Sequence, residues 1–72
     1  MKIIQITTEY IKLQDLLKLA DVVATGGEAK IRVQEGEVQV NGQPCTQRGK
    51  KIRPGDRVDY HGLTLGVAYA DR

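Results

Sequence analysis

The sequence predicts an α+β domain, and three observations carry the prediction. The first third holds apolar residues at helical spacing, while the second half alternates apolar and polar residues between glycine-marked turns. The chain of 72 residues is the length of one domain. Its core is expected to be thin, because a chain of this size buries only about 60% of the surface it exposes when unfolded.

In chain order, residues 2–7 are rich in isoleucine and alternate weakly, as in a short strand. Thr7 and Thr8 are candidate N-caps for a following helix, with Glu9 near its positive end. Leu13, Leu16, Leu17 and Ala20 fall at i, i+3, i+4 and i+7, one apolar helical stripe, with Lys12, Asp15 and Lys18 towards the other sides. Thr25-Gly26-Gly27 interrupts this helix and caps a second one over residues 27–34. Ala29 and Val33 face inward there, and Gly36 stands where a C-terminal glycine is expected. Residues 37–40 alternate at period two, and Asn41-Gly42 marks a tight hairpin turn. Pro54-Gly55 suits the centre of a type II turn. Residues 57–60 alternate again, His61-Gly62 turns the chain, and Leu63, Leu65 and Val67 form a last half-buried strand. Strand, helix, helix and then several strands make the α+β order.

Composition narrows the function classes. The single cysteine, Cys45, permits no internal disulfide, which fits a reducing cytoplasm. Cys45 and His61 alone are too few for a structural zinc site. Cys45 reads as a half-buried filler and His61 as a surface residue beside a turn. The apolar runs fall short of the roughly 18 residues of a membrane span, and Ile3-Ile4-Gln5-Ile6 is short for a signal-peptide core. Gly26-Gly27 lacks the spacing and the Lys-Ser/Thr ending of a phosphate loop. Asp15, Glu28, Glu35, Asp56 and Asp59 show no spacing that argues for a catalytic pair. The expectation is a soluble, cytoplasmic, non-catalytic protein without metal, cofactor or small-molecule substrate.

The net charge of +2 says little, but its distribution says more. Arg48, Lys50, Lys51, Arg53 and Arg57 crowd into ten residues with one acid, Asp56, whereas the other acids concentrate in residues 9–21 and 28–37. One basic face is the electrostatic footprint of a polyanion partner, against the alternative of an ordinary solvated surface.

The ordered motifs resemble a known family. A helix pair is followed by Gly36-x-Val38-x-Val40-Asn41-Gly42 and then by Lys51-Ile52-x-Pro54-Gly55-Asp56-x-Val58. This resembles the S-four-like, or αL, RNA-binding domain over roughly residues 12–60, from a Lys12-Leu13 helix start through Leu17, Glu28-Ala29 and Gly36 to the Val-Asn-Gly turn. Leu16-Leu17-Lys18-Leu19, Gly26-x-x-Ala29-Lys30, Glu35-Gly36 and Lys51-Ile52-x-x-Gly55 are similar to a small stand-alone bacterial subgroup of the YbcJ/YaaA type. The resemblance implies two helices packed on a small antiparallel sheet after a short N-terminal strand. It also implies a surface of two helices and a β-turn for structured RNA, typically ribosomal RNA, with a role in ribosome assembly or translation and a monomeric state.

Physical chemistry agrees, because A-form RNA hides its base edges and is read through shape and phosphates. With only Tyr10, Tyr60 and Tyr69 as aromatics, the chain is poor in rings for a single-strand stacking platform. Lys30, Lys50, Lys51 and Arg53 are the leading candidates for RNA contact, followed by Lys12, Lys18 and Arg48, while Arg57 is expected in solvent beside Asp59. The pattern departs from the family at four points. Gly26 replaces the usual arginine at the start of the second helix, a feature shared by the stand-alone subgroup, and this shifts emphasis to Lys30. Gln14 replaces a common aspartate, Asp21 stands where many members have glycine, and Arg32 takes an apolar position. Arg32 is expected either to reach RNA or to lay its stem over the core edge.

A rival reading is a β-grasp interaction module, since Val-x-Val-Asn-Gly and Gly-Asp-x-Val also resemble ubiquitin-like sulfur carriers. A carrier needs a C-terminal Gly-Gly, whereas this sequence closes on Tyr69-Ala70-Asp71-Arg72 and places a helix pair before Val-Asn-Gly.

Overall fold

The computed structural model describes residues 1–70. Nine elements follow in order: β1 (Lys2–Ile6), β2 (Ile11–Lys12), α1 (Leu13–Leu19), α2 (Gly26–Gln34), β3 (Val38–Val40), β4 (Gln43–Pro44), β5 (Lys51–Ile52), β6 (Arg57–Tyr60) and β7 (Leu63–Tyr69). Five strands form one sheet in the order β1-β7-β6-β3-β4, and β2 and β5 form a separate two-stranded ribbon. The sheet is antiparallel from β7 to β4, and β1 joins β7 in parallel, Ile4 opposite Val67.

Local chemistry sets the helix ends. Thr25 caps α2 by accepting the Glu28 N–H at 3.1 Å, and the Glu28 carboxylate accepts the Ala24 N–H at 2.9 Å. At its far end the Gly36 N–H donates to Val33 and the Glu37 N–H to Arg32, with Gly36 at φ +76°, a left-handed stop. The same pattern ends α1, where Asp21 and Val22 donate to Lys18 and Leu17. Asp21 holds φ +62° there, which accounts for the glycine common at this position in the resemblance. The Lys2 ammonium donates to the Ala20 carbonyl at 3.0 Å, a cation at the negative end of α1.

The start of α1 differs from the expected threonine cap. Thr8 donates instead to the Tyr10 carbonyl at 2.7 Å, and Lys12 precedes the helix in extended conformation without a side-chain cap. The Leu13 N–H donates to the Lys50 carbonyl at 2.8 Å and the Gln14 N–H to that of Arg48 at 3.0 Å. A distant segment thus satisfies two of the helix's orphan donors in place of a cap from Thr7 or Thr8.

The two-residue turns Asn41-Gly42 and His61-Gly62 have positive φ at both residues, as hairpins joining right-twisted strands require. Leu13, Leu16, Leu17, Ala29 and Val33 from the helices share one core with Ile4, Ile6, Val38, Val58, Leu65 and Val67 of the sheet and Ile52 of the ribbon. Among the described residues no polar or charged residue is buried, so the charge stays at the surface.

Candidate nucleic-acid interface

The ribbon sorts its residues by the period of two that strands impose. Ile11 lies opposite Ile52, and Lys12 opposite Lys51. Ile52 is fully buried and Ile11 packs against the core. The opposite face therefore takes Lys12 and Lys51, and the same alternation carries it one residue further to Tyr10 and Arg53. The geometry agrees: Lys51 Nζ lies 4.9 Å and Arg53 Cζ 5.8 Å from the Tyr10 ring centroid. One small face thus holds three cations and an aromatic ring.

Lys12 and Lys51 are direct cross-strand neighbours, a placement in which like charges destabilise the pairing. Stability alone would favour an acid at one of the two positions. Arg48 and Lys50, both exposed, stand close by, since their carbonyls grip the first turn of α1. None of Lys12, Arg48, Lys50, Lys51 or Arg53 pairs with an acid among the described residues.

The structure brings together those five of the seven predicted contact residues around the entrance to α1. Lys18 lies on α1 and pairs with Asp15 at 3.6 Å. Lys30 is exposed on α2, and no hydrogen bond or ion pair among the described residues ties it to the ribbon. Tyr10 was not singled out from the sequence. Its signal, two residues before Lys12, has meaning only if residues 10–12 are extended, whereas caps at Thr7 or Thr8 place them in the opening of a helix.

A clip between two turns holds this face in position. The Asn41 side chain accepts the Arg57 N–H at 2.9 Å and donates to Asp56 at 3.1 Å. Asp56 in turn accepts the Arg53 N–H at 2.8 Å, and its own N–H donates to the Arg53 carbonyl at 2.9 Å across the Pro54-Gly55 turn. The Asn41-Gly42 and Pro54-Gly55-Asp56 motifs, far apart in sequence, are one hydrogen-bonded unit.

A group of glutamates gathers elsewhere. Arg32 is half-buried, and its guanidinium bridges Glu28 at 3.9 Å and Glu37 at 3.6 Å at the surface, an arrangement compatible with its stem lying over the core edge. His61 Nε2 lies 2.6 Å from Glu37 Oε1 at the surface. Hydrogen bonding with Glu35 and then His61 holds the Glu37 carboxyl below the ordinary carboxylate range, whereas the neighbouring Glu37 pushes Glu35 up. Arg57 pairs with Asp59 at 3.2 Å as expected, and Cys45 is half-buried against the core. Among the described residues no group of His, Cys, Asp and Glu could hold a metal ion, and no helix is long and apolar enough to cross a membrane.

Comparison with known proteins places this geometry in a family. The chain is 49% identical over 60 residues to a protein of Bacillus subtilis (strain 168) named a probable ribosome maturation protein, RlbA, covering 83% of this chain and 84% of that one. It is 38% identical over 58 residues to YbcJ of Escherichia coli (strain K12), covering 81% and 83%. A solution structure of YbcJ, described as revealing an αL motif involved in RNA binding, superposes with a TM-score of 0.73 at 33% identity, over 94% of this chain and 87% of that one. Residues 4–68 match the S4 domain family. With its helix pair, its linked turns and this match over most of its length, the chain belongs to the S4 domain family.

Proposed function

We propose that this protein binds structured RNA, with ribosomal RNA as its target, through the basic face at the entrance to α1. In this reading it acts without catalysis, as a monomer in the bacterial cytoplasm, at a step of ribosome assembly or translation. The observation that carries the reading is Lys12 set directly opposite Lys51 with no acid among the described residues to neutralise either. Such a pair costs stability in the free protein and gains it when phosphates lie across it. Arg48, Lys50 and Arg53 widen the same surface, and Lys18 and Lys30 are outlying cations on the helices that RNA also reaches. The family and the names of its relatives RlbA and YbcJ support the RNA target and the link to ribosomes.

The test is binding to a structured ribosomal RNA fragment across a salt series. Reversing both charges (Lys12→Glu with Lys51→Glu) is expected to weaken binding at least tenfold, on the order of two charge-assisted hydrogen bonds to phosphate. The slope of log K against log salt should flatten by about 0.7–0.9 for each phosphate that the variant no longer neutralises. Unchanged affinity and slope would exclude this face.

A further inference from the structure

We infer that Tyr10 stacks on an unpaired base, so that the RNA taken by this face is a duplex interrupted by a flipped-out nucleotide and not a continuous helix. The inference rests on the RNA-binding reading above and names the class of RNA structure involved. A surface that reads phosphates alone needs cations and has no use for a ring among them. Here the ring of Tyr10 shares a face with Lys12, Lys51 and Arg53. The other two tyrosines lack that setting: Tyr60 packs edge-on against His61, and Tyr69 lies at the end of β7.

The ring is prepared for the role in three ways. Its backbone is fixed, because the Thr8 hydroxyl donates to the Tyr10 carbonyl and the next two residues pair with β5. Ordering it on binding therefore costs little entropy. An open groove lined by Thr8, Tyr10, Ile11, Lys12 and Asp15 leaves room beside it. Finally, the groups resting against it are exchangeable: an exposed cation–π interaction in water is weaker than stacking between an aromatic ring and a base. A base can therefore displace the ammonium or guanidinium, and the freed Lys51 and Arg53 then reach the phosphates flanking the same nucleotide. One nucleotide satisfies both chemistries. A continuous A-form helix cannot, since its base faces are stacked inside, its major groove is too narrow for a side chain and its wide minor groove offers only base edges and 2′-hydroxyls.

The experiment compares two RNA hairpins that differ only by a single-nucleotide bulge, with 2-aminopurine as the bulged base. The wild-type protein and Tyr10→Phe are expected to bind the bulged hairpin about tenfold more tightly than the closed one, and to quench the 2-aminopurine fluorescence. Tyr10→Ile, checked for folding by its melting curve, should bind both hairpins alike and leave the fluorescence unquenched. It should keep the wild-type affinity for the closed hairpin and the wild-type salt slope. The inference is overturned if the wild type shows neither preference nor quenching, a result that requires no variant. It is equally overturned if Tyr10→Ile weakens binding to both hairpins in equal measure, because the ring would then only position Lys51 and Arg53. Failure of the wild type to bind either hairpin would instead remove the RNA-binding reading itself.

Discussion

Asn41 illustrates how one side chain serves two purposes. Its φ of +52° fits the tight turn between β3 and β4, a conformation that glycine adopts at lower cost. Its amide also links the Arg57 N–H to the Asp56 carboxylate, and Asp56 orders the backbone of Arg53. Turn chemistry alone predicts that Asn41→Gly is neutral or stabilising. The clip predicts the opposite, a loss of about 1 kcal/mol, the net worth of a hydrogen bond or two at an exposed site. Chemical denaturation separates the two, and a variant more stable than the wild type would show that the clip contributes nothing.

Among the elements, the short ribbon of β2 and β5 has the greatest functional consequence. Two residues on each side cannot hold together by pairing alone. Ile52, fully buried, anchors the ribbon in the core, and the carbonyls of Arg48 and Lys50 fasten the adjoining loop to α1. Ile52→Ala is therefore expected to destabilise the fold by about 2–4 kcal/mol, a large fraction of the stability of a small domain. It should also weaken RNA binding at temperatures where the protein remains folded, although no charge is altered. Ile52→Val, which retains most of the anchor, should cost about 1 kcal/mol and leave binding near the wild-type value. Equal binding by the alanine variant would mean that the basic face does not depend on the ribbon.

Across the whole molecule much of the charge is segregated. Cations unpaired among the described residues surround the entrance to α1, while Glu28, Glu35 and Glu37 collect around Arg32 and His61. Within that acidic group the raised pKa of Glu35 reports an ionised form that the fold disfavours beside Glu37. Glu35 thus opposes folding above the ordinary carboxylate range, and the effect disappears once acid protonates it in both folded and unfolded chains. Glu35→Gln removes the charge and keeps a donor for Glu37. A small rise in melting temperature is expected at neutral pH, shrinking to nothing below about pH 4. A rise that persisted in acid would assign the gain to something other than charge.

Local features were legible in the residues themselves, because each is decided within about five positions along the chain. The apolar stripe of α1, the Thr25 cap, the Gly36 stop and the Asn41-Gly42 and Pro54-Gly55 turns belong here. The resemblance also carried the Lys12-Leu13 helix start, which capping logic at Thr7 and Thr8 missed. What only the tertiary structure decided involves segments some forty or more residues apart: β2 on β5, and β1 beside β7. Neither pairing leaves a local mark, since a two-residue strand is too short to show alternation and a strand's direction is set by its neighbour. The basic cluster in residues 48–53 was visible as composition. Its convergence with Lys12 on Tyr10 depended on that distant pairing, and so the site became a surface only when the chain closed on itself.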